Sequence, residues 1–206
     1  MIYQIEKQLI ERNTSQNHFS IEVLTGQIDV ENIVVDYEML ANRCKTGCSV
    51  YNTKYSCPPY SPDFNLLKKD YKFMVVNLLK VDMNEYKKVF HSVRMVNTVE
   101  KSLQKKLIDR IVSNDEYVLE NGSCRLCKKC TKIYDKPCNH PEKMRFSLEA
   151  TGINVNELCK SVFDFELVWH KDGKSPEYLC VVAGILTHDP ETTKEKIINA
   201  YSNYKE

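Results

Sequence analysis

The chain has 206 residues, with 29 lysines and arginines against 28 aspartates and glutamates, so its formal net charge is +1. This length allows one sizeable core, and the balanced charge gives no global field that would favour nucleic acid or a membrane surface as a partner. No stretch approaches the roughly 20 apolar residues of a membrane span, and the N-terminus has no apolar signal-peptide region. We therefore expect a soluble, cytoplasmic protein.

The N-terminal part of the chain changes from one apolar pattern to another. Apolar residues at helical spacing predict a short amphipathic helix over residues 2–11. Alternation of apolar and polar residues predicts a strand over residues 19–26, ending at a glycine. Residues 33–35 fit a strand, whereas residues 36–42 predict a helix that leads to Cys44.

The middle of the chain predicts a strand followed by a long helix. Residues 71–81 contain an apolar run of strand length, typical of a central strand. From residue 84 to residue 112, apolar side chains fall on one stripe and lysines, among them Lys101, occupy the other face. This pattern predicts a helix packed on the core. Residues 116–119 predict a short strand.

The C-terminal part carries several local start and stop signals. A proline in the first turn and a glycine at the end predict a helix over residues 140–152. A capping box, asparagine followed three residues later by glutamate, opens a second helix at residue 154. Residues 163–169 and 178–186 predict a hairpin-like pair, and a lysine-rich helix follows from about residue 191.

Together these elements predict the α+β class. We expect a single domain with a mixed sheet built on residues 71–82 and 163–186, and a long packing helix near residues 84–112. The sequence contains no internal repeat and no clear linker. Cysteine-rich loops at residues 44–62 and 121–141 interrupt the regular pattern, and we expect them at one end of the domain.

The strongest chemical signal is a run of three cysteines at spacings of three, followed by a fourth eight residues later: Cys124, Cys127, Cys130 and Cys138. Two residues between thiolates let the backbone turn around a metal centre, and thiolates this close repel one another without a cation. Zinc usually takes its ligands as two separate pairs, whereas each iron of a [4Fe–4S] cluster needs one thiolate. We therefore favour a [4Fe–4S] cluster here, with zinc as the alternative.

The segment 44–62 contains three further cysteines: Cys44, Cys48 and Cys57. A glycine and three prolines argue against a long regular element in this segment. Bonds from thiolates to a metal could replace the missing secondary structure, and three tyrosines would limit water around them. The simpler alternative is a proline-rich surface loop with free thiols.

The seven loop cysteines can be divided in two ways, since two full clusters would need eight thiolates. In the arrangement we favour, the four cysteines of residues 124–138 hold one cluster. The three of residues 44–57 then form a site with one iron open to a ligand. In the alternative, Cys57, which precedes a proline as in bacterial ferredoxins, completes the triple run, and Cys138 joins the first loop. Local closure orders less chain and favours the first arrangement.

Other residues near the loops have simpler interpretations. His140 is expected to act as a helix cap or an outer hydrogen-bond donor rather than as a ligand. Cys159 and Cys180 lie in apolar patterns and are expected to pack in the core. Residues 121–145 contain seven basic and two acidic residues, an excess of five positive charges. This excess either forms a docking face for an acidic redox partner protein or compensates an anionic cluster.

The sequence contains no other catalytic pattern: no glycine-rich phosphate loop, Ser/His/Asp order or H-E-x-x-H motif. The C-x3-C-x2-C motif of radical enzymes is also absent, because eight residues separate Cys48 from Cys57. We therefore predict an iron–sulfur protein with an electron-transfer or redox accessory role. The alternatives are an enzyme that uses the three-cysteine site with an open iron as a Lewis acid, and a zinc-stabilised binding module.

Five motifs together resemble an uncharacterised cysteine-rich family of predicted metal-binding proteins from archaea and anaerobic bacteria. They are Cys44-x3-Cys48, Tyr55-Ser56-Cys57-Pro58-Pro59, Gly122-x-Cys124-x2-Cys127-x2-Cys130, Cys138-x-His140-Pro141 and Arg145-x-Ser147-x-Glu149-Ala150-x-Gly152-Ile153. The resemblance runs from about residue 40 to residue 160. It implies metal binding, iron–sulfur in kind, by these cysteines, and it implies no reaction. Leu148 replaces an expected methionine, a mild core change, and Arg145, Ser147 and Glu149 match without a role that the sequence assigns.

Overall fold

A six-stranded sheet forms the centre of the computed structural model, which describes residues 4–13, 17–86, 92–168 and 176–204. The strands are β1 Glu6–Asn13, β2 His18–Asp29, β3 Phe73–Asp82, β4 Tyr117–Glu120, β5 Phe146–Ser147 and β6 Tyr178–Thr187. Their order in space is β1-β2-β3-β6-β4-β5. Neighbouring strands are antiparallel except β4 and β5, which are parallel. The sheet is therefore mixed, as the sequence predicts.

Helices cover both faces of this sheet. In the described part of the chain they are α1 Tyr37–Gly47, α2 Phe64–Leu67, α3 Ser92–Ile111, α4 Val155–Phe163 and α5 Pro190–Ser202. One hydrophobic core lies between the sheet and the pair α3 and α5, and a second lies between the sheet and α2, α4 and the loops. This architecture confirms the α+β class. No described helix combines the length and hydropathy that a bilayer crossing requires.

The two cores explain the apolar run in β3. Alternate residues of this strand enter opposite cores, so that Val75 packs towards α3 and α5 while Met74 and Val76 pack towards α4. Both faces of β3 are buried, and a strand covered on both faces has a continuous apolar sequence rather than an alternating one. The prediction of a central strand over residues 71–81 is therefore confirmed.

A buried polar network ties the cysteine loop to the core. Asn77, fully buried in β3, accepts a hydrogen bond from Tyr201 Oη at 2.8 Å through its Oδ1. Gln104 Nε2 of α3 donates to the backbone oxygen of Asn77 at 2.8 Å, and Asn121 Nδ2 donates to Gln104 Oε1. Because Asn121 directly follows β4, these bonds fix the start of the loop that contains the four clustered cysteines.

The predicted N-terminal helix is wrong. Residues 6–13 form β1, which pairs with β2 as an antiparallel hairpin. Within β1 burial alternates, with Ile10 buried and Leu9 exposed, as expected for a strand with one covered face. β2 also continues past Gly26, where a Cβ atom would lie 2.6 Å from Val162 Cγ1 of α4. This glycine therefore allows α4 to approach the sheet and does not end the strand.

The predicted helix over residues 140–152 is also wrong. The chain instead forms a 3-10 turn at Pro141–Lys143, strand β5, and a second 3-10 turn at Glu149–Thr151. Gly152 has a left-handed φ of +88°, and a Cβ atom there would lie 2.7 Å from the Cα atom of Tyr37. The proline and the glycine therefore bound two turns and an edge strand rather than a helix.

The other predicted elements have mixed outcomes. The N-cap of α4 is confirmed, because Asn154 Oδ1 accepts the N–H of Glu157 at 3.3 Å. The reciprocal half of the capping box is not formed, since the N–H of Asn154 donates to the backbone oxygen of Val34 at 3.0 Å. α5 begins at Pro190, as expected. In the described chain the long helix begins at Ser92; residues 84–86 form a 3-10 turn, and residues 87–91 lie outside the described residues. The strand predicted over residues 163–169 is wrong in its described part, because Phe163 ends α4 and residues 165–168 have no regular structure. Residues 169–175 lie outside the described residues, and the strand pairs described for β6 are with β3 and β4.

Candidate metal centre

The four clustered cysteines lie in the loop that follows β4. In this loop the cysteines are half-buried, while the residues between them in the triple run are exposed. All four line one small cavity of about 20 Å³: Cys124, Cys127, Cys130 and Cys138. His140 lines the same cavity. The loop therefore turns these cysteines inward, whereas Lys128 and Lys129 of the triple run are exposed.

The segment around Cys57 holds this loop in place. Lys54 Nζ donates to Ser123 Oγ at 3.1 Å and to the backbone oxygen of Cys124 at 2.8 Å. The N–H of Cys124 donates to Oγ of the buried Ser56 at 3.0 Å. Tyr55 Oη donates to the backbone oxygen of Lys136 at 2.9 Å. Lys54, Tyr55 and Ser56 thus form one wall of the cavity, a role that sequence reasoning missed for Lys54 and Ser56.

Two of the cysteines in the first loop lie at the C-terminal end of a helix. Only residues 44–47 of the segment belong to this helix and turns follow, so the expectation that residues 44–62 contain no long regular element is confirmed. Cys44 lies in the last turn of α1, and Cys48 is the residue that ends it. Their spacing of four places both on one face of the helix. This face lines a large cavity of about 710 Å³ beside α4.

The third cysteine of that loop, Cys57, is buried. Burial raises the pKa of the Cys44 thiol, and the neighbouring thiols of Cys48 and Cys57 raise it further. Burial also raises the pKa of Cys57, with smaller contributions from Cys48 and from Cys130 of the other loop. A bound cation would reverse these shifts, because a coordinating thiol is deprotonated. Cys57 is thus close to both groups of thiols.

The four-cysteine cavity fits a metal group by the chemistry of its donors. Four thiolates from one chain are the ligand set of a [4Fe–4S] cluster and also of a structural zinc ion. The cavity itself has room for about one water molecule, so binding of a metal group requires the loop side chains to turn outward. Among the described residues, no three His, Cys, Asp or Glu side chains are arranged to hold a metal ion.

A comparison with family models identifies the chain. A model described as predicted metal-binding protein (DUF2284) matches residues 26–186. The chain belongs to this family. The matched region includes both cysteine loops and the strands that carry them, so the DUF2284 assignment supports metal binding without specifying the metal. Comparisons with curated proteins and with solved structures gave no match.

Three other predicted residues of this DUF2284 chain have positions that differ in part from expectation. The His140 side chain makes no capping hydrogen bond, so the expected cap is wrong and the residue belongs to the cavity wall. Cys159 is fully buried in the core, as expected, and burial raises the pKa of its thiol to about 12. Cys180 is only half-buried and lines a cavity of about 270 Å³, although burial strongly raises its pKa.

Arg145, Ser147 and Glu149 match the family motif, but the sequence assigns them no role; their contacts divide them into two groups. Arg145 forms ion pairs with Asp109 of α3 and Glu120 of β4, which anchor the end of the cysteine loop. Ser147 is buried, and its Oγ accepts a backbone N–H three residues on at 3.1 Å. These two residues are therefore structural. Glu149 lines both the cavity of about 710 Å³ and the cavity of about 270 Å³, and its carboxylate forms no salt bridge within the described chain.

Proposed function

We propose that the protein binds a [4Fe–4S] cluster through Cys124, Cys127, Cys130 and Cys138 and acts as an electron-transfer or redox accessory protein. The observation that carries this proposal is that these four cysteines line one cavity, while the residues between them in the triple run are exposed. When bound, such a cluster supplies one-electron chemistry. Family membership supports metal binding, and the triple cysteine run supports iron over zinc.

The surroundings of the loop suit this role. Lys54 and Ser56 hold the backbone of Cys124, so the first ligand is fixed before a metal binds. The exposed side chains of Arg125, Lys128 and Lys129 place positive charge around the anionic site. We propose that they form a docking face for an acidic redox partner protein. The nine free thiols also suit a reducing compartment, which favours a cytoplasmic location.

Anaerobic purification with metal analysis tests the cluster directly. We expect brown protein with broad visible absorption, and about four iron atoms and four acid-labile sulfides for each chain. These values come from one cluster with four cysteine ligands. Air-exposed protein should lose the colour and the sulfide together. A colourless protein that holds one zinc ion for each chain would contradict the proposal and favour a zinc-stabilised binding module.

A second candidate function is that of an enzyme with its own metal site in the first loop. The observation that favours it is that Cys44 and Cys48 line the large cavity of about 710 Å³, with Cys57 close by. Three thiolates leave one position of a cluster open to a ligand. That position would face space large enough for a small-molecule substrate.

Addition of a small thiol such as 2-mercaptoethanol to the anaerobic protein tests this second candidate. We expect a shift in the visible spectrum of the native protein, because the thiol would bind the open iron. Cys48→Ser should lose the shift and the iron of this site, whereas Ser49→Ala, in the same exposed turn, should keep both. A native spectrum that the thiol leaves unchanged, with iron for one cluster only, would exclude the second site.

A further inference from the structure

The cavity of about 270 Å³ lies beside the large cavity and is lined by none of the seven loop cysteines, although Asn121 at the start of the second loop belongs to its wall. It is lined by α3, β6 and the start of α4, and it shares Glu149, Val155 and Leu167 with the larger one. Its polar wall includes Lys101 and Asn97 of α3. A volume of this order lies near the lower end of the range for small-molecule sites. The apolar part of its lining suits the carbon skeleton of a small ligand.

Opposite charges lie on the wall of this cavity without direct contact. Lys101 is half-buried, which corrects its expected place on the solvent face of the helix. Burial and then the nearby Arg125 lower the pKa of Lys101, while the carboxylate of Glu149 raises it. The two side chains are thus near enough to interact. Among the described residues, neither Lys101 nor Glu149 has an ion-pair partner within 4.0 Å.

This arrangement leaves two half-buried, opposite charges without a direct contact between them. A half-buried charge loses part of its hydration, and a partner in direct contact normally compensates for the loss. Here the ammonium group and the carboxylate are left apart on the same wall. A ligand that carries a carboxylate at one end and an ammonium group at the other would give each of them a partner.

We propose that this cavity binds a small amino-acid-like zwitterion, whose carboxylate accepts from Lys101 Nζ and whose ammonium group donates to Glu149. The neighbouring amide of Asn97 offers a further polar contact, and Val155 and Leu167 contact the apolar part of the ligand. The site goes beyond metal binding by the cysteines, and it requires no metal. It also gives a role to Glu149, to which the sequence assigns none.

Thermal-shift measurements with the common L-α-amino acids, each up to about 10 mM, test the proposal on the full chain. We expect at least one of them to raise the unfolding temperature. Isothermal titration then compares the best of these with its N-acetyl derivative, which lacks the ammonium group, and with its methyl ester, which lacks the carboxylate. Each derivative should bind at least about tenfold more weakly, because one charge-assisted hydrogen bond is lost.

Two variants with matched controls locate the site. Lys101→Met and Glu149→Gln should each weaken binding at least about tenfold. Lys106→Met on the exposed face of α3 and Glu195→Gln on the exposed face of α5 should leave it unchanged. The proposal is wrong if no amino acid binds, if the N-acetyl derivative or the methyl ester binds as well as the parent, or if both site variants bind normally. If a variant does not fold, the comparison of derivatives on the native chain still decides, and iron analysis reports separately on the cysteines.

Discussion

Replacing Cys138 with serine should remove the cluster from the four-cysteine cavity, with loss of its visible absorption and its iron. Serine keeps the size of the side chain but offers a hydroxyl that stays protonated at neutral pH, so one iron would lose its thiolate. Removal of a residue that only orients a ligand already lowers metal affinity about 10- to 100-fold. Loss of a direct ligand should therefore lower it at least about 100-fold.

The structure explains why Cys138 is available to this site. The segment between Cys130 and Cys138 is closed on itself, because Thr131 Oγ1 donates to the backbone oxygen of Pro137 at 2.8 Å. The N–H of Lys136 also donates to the backbone oxygen of Thr131 at 3.2 Å. This closed turn returns the chain to the cavity eight residues after the triple run. The fourth thiol thus comes from the same loop as the other three.

Iron analysis of paired variants separates the two divisions of the cysteines. In the arrangement we favour, Cys57→Ser keeps the cluster of the second loop and affects only the first. If Cys57 instead completes the triple run, Cys57→Ser should lose the cluster of the second loop. Cys180→Ala removes a thiol on β6 and should keep the iron content unchanged. A Cys138→Ser variant with full iron and an unchanged spectrum would show that our ligand assignment is wrong.

The parts of the fold that depend on burial alone could be predicted from the sequence. β3 has an apolar run because two cores cover it, and α3 has an apolar stripe because only one of its faces packs on the sheet. The cap of α4 is local as well, since Asn154 and Glu157 are three residues apart. In each case the residues that decide the structure are close together in sequence.

The predictions of secondary structure are wrong where contacts with residues distant in sequence determine the local structure. Residues 6–13 have apolar spacing that fits a helix, but hairpin pairing with β2 makes them a strand. Residues 146–147 are a strand only because β4 lies beside them, and Gly152 is needed where the chain meets Tyr37 of α1. These contacts join segments that no window of local sequence includes.

In the candidate site, too, features set by nearby residues could be predicted, and features set by residues distant in sequence could not. That the four cysteines line one cavity could be predicted, because their spacing places them in one loop. The anchoring of Cys124 by Ser56 and Lys54 could not, since those hydrogen bonds join residues 68 and 70 positions apart. The predicted solvent exposure of Lys101 is wrong for a related reason. The sequence places Lys101 on the polar face of α3, but residues of α4 and β6, distant in sequence, form a cavity with it.

Replacing Glu100 with methionine should stabilise the protein by about 2 kcal/mol at neutral pH. Glu100 lies on α3 and is fully buried, and neither of its carboxyl oxygens has a hydrogen-bond partner among the described residues. Methionine has a similar length and no group that needs such a partner. Burial also raises the pKa of Glu100 well above its ordinary value of 4.5, against a smaller opposite effect of Lys101. Burial thus favours the protonated form of this side chain in the folded protein.

This raised pKa predicts a specific dependence of stability on pH. Below the ordinary pKa both the folded and the unfolded chain hold the proton, so Glu100 contributes no slope. Between the ordinary and the raised pKa only the folded chain holds it, and the free energy of unfolding should fall by up to about 1.4 kcal/mol for each pH unit. Urea unfolding at a series of pH values upward from about pH 5 should show this slope in the native protein and in the control Glu195→Gln, whose side chain is exposed. In Glu100→Met the slope should be smaller by that amount. If the variant is less stable than the native protein at neutral pH, or keeps the full slope, Glu100 is ionised and paired in solution, and the buried acid is not the source of the pH dependence.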